Sequence, residues 1–251
     1  MTTNTNQEMR LLIEKNISQH GHHISLVTGG DATPRFAYTI GLFPNVGAEL
    51  VFAGASFYST QSLHIVINKV ADVLSSGVDW QGIVIDIGAL GCFSLQGVHR
   101  SWTNMLLLGA LDYYNSEIVG LQIVPDKVHT TIDVPNLSLA FNPVSEPVWG
   151  WLSEPWEFLV PENSIAITNL LALQGKKITE VMRWEEGEWE LFAGYGPDVS
   201  REDFRKIPLG TLLAVDKSLH AITKLDVGKG LWRRDGETEW HIWESRKKEK
   251  K

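Results

Sequence analysis

A single cysteine, Cys92, stands in 251 residues. That excludes an internal disulfide and suits a reducing compartment. No stretch approaches the roughly 18 uninterrupted apolar residues of a membrane span, and the opening "MTTNTNQEMR" lacks the apolar segment of a secretion signal. The expectation is a cytoplasmic protein with no membrane attachment. Positive charge is also scarce: 22 basic residues against 30 acidic give a formal charge of -8. Nucleic-acid affinity comes mainly from clustered Lys and Arg, so nucleic acid is not an expected partner. The one basic run, "RKKEKK" at 246–251, reads as a charged, solvated tail. An acidic surface suits a basic protein partner instead.

Catalytic motifs are missing as well. There is no G-x-S-x-G elbow, and "GALG" and "GKG" lack both the Lys-Ser/Thr ending of a phosphate loop and the strand-to-helix setting of a dinucleotide site. Zinc needs three or four convergent ligands. His20, His22 and His23 flank a helix stop at Gly21 that fixes no common face, and the other histidines stand alone. Cys92 and His99 lie seven residues apart, on opposite faces of a strand, which leaves a thiolate pair without its base. No catalytic residue, metal or cofactor is expected.

What the chain does contain is 43% hydrophobic residues, enough to bury a sizeable core. "EMRLLIEKNISQHG" has helical spacing, and "HHISLVTG", "RFAYTIGL" and "ELVFAG" read as strands. "SFYSTQSLHIVINKVADVLSSG" predicts a helix capped by Ser56 and ended before Gly77. "GIVIDIG", "CFSLQGVHRSW" and "VGLQIVPD" predict further strands, with a short apolar helix at "MLLLGALDYYN". The fold class is α+β: a mixed, mostly antiparallel sheet flanked by helices over residues 1–137, followed by a smaller unit rich in hairpins and tryptophan. The four prolines of 142–163 mark a connection over 138–163, the β-rich unit runs 164–245, and 246–251 is tail.

Eight of the ten tryptophans lie from Trp149 onward. A two-residue turn at Glu186-Gly187 predicts Trp184 opposite Trp189 and Arg183 opposite Glu190. A turn at Asp235-Gly236 predicts Leu231 opposite Trp240. The piece between them predicts a short helix with Ser200 as N-cap and Asp203 in the capping-box position. Trp149, Trp151 and Trp156 fall in the proline-broken loop, where no strand face can bury all three. Exposed aromatics with acidic neighbours mark a protein interface.

One cluster of polar groups stands out in the first half. Tyr38 shares strand parity with Phe36 and Ile40, which puts its ring in the core and its hydroxyl in need of a partner; Thr39 points the other way. Glu49, Gln122 and Asp126 are the partners in view. These five define the candidate pocket.

The order "HGHHISLV", "FAYTIGL", "AEL" and "LQIVPD" over about residues 8–130 resembles the bacterial domain of unknown function 4262 family. Three departures stand against it: Ala48 replaces a proline, the tryptophan before Pro-Asp is absent, and "KVHTTIDV" replaces the Gly-x-Phe-Pro-Trp ending. The segment "VDKSLHAITKLDVGKGLWRR" resembles immunity-protein-like tails. The resemblance implies no catalytic activity, but it does imply kinship with immunity proteins, small cytoplasmic binders that block a toxin.

Two functional expectations follow. The first is a non-enzymatic immunity protein that neutralises a basic bacterial toxin domain, with Trp149, Trp151 and Trp156 as anchors and Glu154, Glu157, Glu185 and Glu188 as the acidic rim. The second is an enzyme or small-ligand site in the pocket of Tyr38, Thr39, Glu49, Gln122 and Asp126, with Glu49 or Asp126 as base.

Overall fold

The computed structural model describes residues 2–28, 32–194 and 200–243, with side chains from residue 7 onward. The charged tail 246–251 lies outside the described residues. The protein is α+β, and the described residues fall into two compact units, 2–28 with 35–146 and 32–34 with 147–243.

The first unit opens with α1 (Thr2–His20), which stops at Gly21, a left-handed residue at φ 80° whose N–H returns to Ile17 O at 2.8 Å. Six strands follow: β1 (His23–Val27), β2 (Phe36–Ile40), β3 (Glu49–Ala53), β4 (Val84–Asp86), β5 (Cys92–Gly97) and β6 (Gly120–Pro125). They form one sheet in the order β1-β2-β3-β6-β5-β4, antiparallel throughout except for β3 against β6. A short helix, α2 (Phe43–Val46), joins β2 to β3, and α3 (Thr60–Ser75) follows β3.

Apolar spacing on α3 buries Leu63, Val66, Ile67, Val70 and Leu74 against Leu50, Phe52, Phe93, Leu121 and Ile123 of the sheet. Its cap is Ser59, whose hydroxyl accepts the Ser62 N–H at 3.0 Å. Ser56, the expected cap, instead turns inward and donates to the buried Asp133 at 2.6 Å. The predicted helix at "MLLLGALDYYN" is two, α4 (Arg100–Leu106) and α5 (Leu108–Tyr114), because Leu107 leaves helical geometry at ψ 34°.

This unit does not close at 137. Trp102 Nε1–H donates to Leu139 O at 3.1 Å and its ring meets Phe141 edge-on at 4.8 Å, while the Asn136 N–H reaches Glu146 at 3.0 Å. Residues 138–146 therefore belong to the first unit. The stretch 147–163 is no free connection either, since Pro147–Leu152 forms a 3-10 turn that buries Val148 and Trp149.

The second unit holds β7 (Ile165–Asn169), α6 (Leu170–Leu173), β8 (Ile178–Glu185), β9 (Glu188–Ala193), β10 (Phe204–Pro208), α7 (Leu209–Val215), a 3-10 segment at Lys217–Lys224, β11 (Lys229–Trp232) and β12 (His241–Ile242). The sheet order is β10-β7-β9-β8-β11-β12, again with one parallel pair, β7 against β9. Ser200 opens only a single 3-10 turn without a side-chain cap; the chain behind it is drawn into β10 by pairing with β7, and the helix forms later as α7.

Both hairpins exist in shifted register. In β8–β9, Arg183 faces Trp189 and Glu185 faces Glu188, because a bulge leaves Trp184 unpaired. In β11–β12, Leu231 faces Ile242, not Trp240, because residues 233–240 form a longer loop around the Asp235-Gly236 turn.

Candidate functional site

Tyr38 lies in the core at 7% exposure, stacked on Phe36 at 6.2 Å. Its hydroxyl accepts the Gly109 N–H of α5 at 3.2 Å. A Cβ on Gly109 would stand 2.4 Å from that oxygen, so only glycine admits the contact. Thr39 and Glu49 do meet. The Thr39 hydroxyl donates to Glu49 Oε2 at 2.6 Å and accepts the Leu50 N–H at 2.8 Å. Glu49 Oε1 accepts the Gly41 N–H at 2.9 Å, the Phe43 N–H at 3.0 Å and the Tyr114 hydroxyl at 2.6 Å.

At 0% exposure with four donors, this carboxylate is saturated. It ties the β2–α2 turn to β3 and α5. Burial, then the bond to Glu49, pushes the Tyr114 hydroxyl well above the ordinary tyrosine range.

Gln122 serves another purpose. Its amide donates to Pro135 O at 2.8 Å and accepts from Leu137 N–H at 3.0 Å and Gln96 Nε2 at 2.6 Å, pinning the chain beyond β6 to the sheet. Tyr38 and Gln122 share a row across the sheet with Val51 between them. Asp126 follows the far end of β6, whereas Glu49 pairs with Gly120 at the near end, so the two carboxylates are about 20 Å apart along the strand. The five residues fall into four separate hydrogen-bonded networks.

Asp126 Oδ2 accepts the Cys92 N–H at 2.8 Å, and its Oδ1 accepts the Val128 N–H at 3.0 Å and bonds His129 Nδ1 at 2.7 Å. The Cys92 N–H, with His129 beside it, holds the Asp126 carboxyl below its ordinary range. His129 also packs edge-on against Phe57 at 4.8 Å and stacks with Tyr58 at 6.1 Å. His22 bonds Asn68 at 2.9 Å and His23 bonds Asn16 at 2.8 Å. Among the described residues no group of three His, Cys, Asp or Glu is placed to hold a metal ion, and no described helix is long and apolar enough to cross a membrane.

These networks carry the sequence elements that resemble the family, and residues 16–130 match the family model described as Domain of unknown function (DUF4262). Residues 16–130 form a DUF4262 domain. No curated protein and no solved structure matches the chain. The DUF4262 domain thus covers β1 to β6 with α2 to α5, and the tryptophan-rich unit lies outside it.

In that second unit one of the three expected anchors is buried and the other two are half-buried. Trp149 is 1% exposed. Trp151 donates to Gly210 O at 3.2 Å and Trp156 to Val160 O at 2.7 Å, and the two rings meet each other at 5.1 Å and both contact Phe158. Proline-broken backbone folded back on itself and built a half-buried aromatic cluster. The acidic residues Glu154, Glu157, Glu185 and Glu188 are all exposed.

Pairing alone did not reveal the exposed aromatic. The bulge turns Trp184 out to 50% exposure beside exposed Glu185, Glu186 and Glu188, while Trp189 is buried beneath the Arg183 guanidinium at 5.0 Å. A bulge of this kind has no local sequence signal, since a two-residue turn and a bulged turn fit "RWEEGEWE" equally well.

Proposed function

We propose that the chain is a non-enzymatic protein-binding module of the cytoplasm, an immunity protein that neutralises a basic toxin domain through its second unit. The tip of the β8–β9 hairpin carries the reading. Trp184 is a large, half-exposed aromatic on a bulge, and three exposed glutamates follow it within four residues. An aromatic anchor inside a charged rim is the usual composition of a binding hot spot. Glu154 and Glu157 are further exposed acids of the same unit, and the overall charge of -8 supports steering toward a basic partner.

Against a pocket at Tyr38 stand the burial of Glu49, which accepts four hydrogen bonds, and the place of Asp126 beyond the other end of the strand. The test is co-expression of the chain with the candidate toxin gene beside its own in the source genome. Protection of growth by the wild type, and loss of protection in Trp184→Ala combined with Glu185→Lys and Glu188→Lys, is the expected result. Equal protection by that variant overturns the hairpin contact, and no protection by the wild type overturns the immunity reading.

A further inference from the structure

The second unit also holds an open cleft of about 780 Å³, between the α6–β8 loop, the start of β8, β11 and the loop 233–240. That volume is in the range of small-molecule sites. Two indoles, Trp232 and Trp243, wall it, and Thr179 contributes to its lining.

Trp243 is held in place although half of it is exposed. Its Nε1–H donates to Leu231 O at 3.0 Å and its backbone N–H to Gly230 O at 2.9 Å. A Cβ on Gly230 would stand 2.6 Å from the indole, so the glycine is what lets the ring lie on β11. Trp232 is fixed in turn against His241, with ring centroids 4.7 Å apart. These are preorganised aromatic surfaces facing solvent, which a packed core does not require.

The rim has the opposite sign to the rest of the molecule. Lys176, Lys177 and Arg234 line the cleft; none of the three makes a salt bridge within 4 Å to a described residue, and Arg234 has Glu237 in its electrostatic reach. Lys177 Nζ donates to a neutral acceptor, Glu237 O, at 2.6 Å. The buried Arg233 does not share this freedom, since Asp216, Ser218 and Ile178 O take its donors and it sits 4.1 Å over Trp240. Glu180 and Asp235 are the lining's carboxylates.

The geometry points to a binding site for a small aromatic anion, its ring system against Trp232 and Trp243 and its negative group at Lys176, Lys177 and Arg234. The site is separate from the hairpin tip: Thr179 and Glu185 lie at opposite ends of β8, about 20 Å apart.

The probe is 1-anilinonaphthalene-8-sulfonate, titrated by fluorescence against the full chain beside its uncharged analogue N-phenyl-1-naphthylamine. The expected result is saturable single-site binding of the sulfonate, with the analogue at least about tenfold weaker. Lys176→Ala with Arg234→Ala, both at exposed positions, weakens the sulfonate about tenfold with an unchanged far-UV circular dichroism spectrum. Trp243→Ala, checked the same way for folding, removes the saturable signal. Equal binding of the charged and uncharged probes, no saturable binding by either, or unchanged affinity in the folded double variant overturns the site.

Discussion

At the scale of single residues, Glu49 is the position on which the DUF4262 domain closes, and its neighbours make that testable. Tyr114 donates to a buried carboxylate, so Tyr114→Phe is expected to cost about 1.5–3 kcal/mol at pH 7 in urea unfolding. Its folded pKa is raised above the unfolded value, so the stability it contributes is complete below about pH 10 and lost as pH rises past it. The gap between wild type and Tyr114→Phe therefore narrows above pH 10. Asp126 has the opposite sign. Its pKa is depressed, its contribution is present above about pH 4, and protonation removes it as pH falls. Asp126→Asn is expected to lower stability by about 1–2 kcal/mol at pH 7 and to converge with wild type below pH 4. Strand parity turned Tyr38, not Thr39, toward Glu49; in the fold the Thr39 hydroxyl takes that carboxylate and Tyr38 meets Gly109 instead. Tyr114 and Gly109, about 70 positions downstream of the groups they bind, left no mark on local pattern.

At the scale of elements, tryptophan position decides what each substitution does. Trp149→Ala empties a buried site and is expected to cost about 3–5 kcal/mol, whereas Trp184→Ala, on a bulge facing solvent, stays within about 0.5 kcal/mol of wild type. Thermal or urea unfolding of the two variants checks the contrast, and only the second is suited to a binding experiment. The strands of the first unit were legible because each is a short apolar run between Gly, Pro or Asn signals. Register was not: the bulge at Trp184 and the long loop after Trp232 each displace the pairing without altering composition. The stretch 147–163 read as a connection because prolines erase periodicity, yet Trp151, Trp156 and Phe158 pack on one another there. That cluster was invisible until the rings had partners.

At the scale of the whole molecule, fold class followed from the irregular alternation of strands and helices, and the two six-stranded sheets conform to it. Charge supplies the remaining expectation. With 30 acidic against 22 basic residues, association with a basic partner is expected to slow as ionic strength rises, by weakening long-range attraction more than the close contact at Trp184. Association rates at low and high salt, measured on an immobilised partner, read this directly. The central claim is that the hairpin tip meets a protein. The most direct measurement is a quantitative comparison of proteins retained from cells of the source by the tagged wild type and by a folded Trp184→Ala, Glu185→Lys, Glu188→Lys variant. The account predicts a basic protein held by the wild type, released at high salt, and absent from the variant; equal retention by both, or retention of no protein by the wild type, contradicts it.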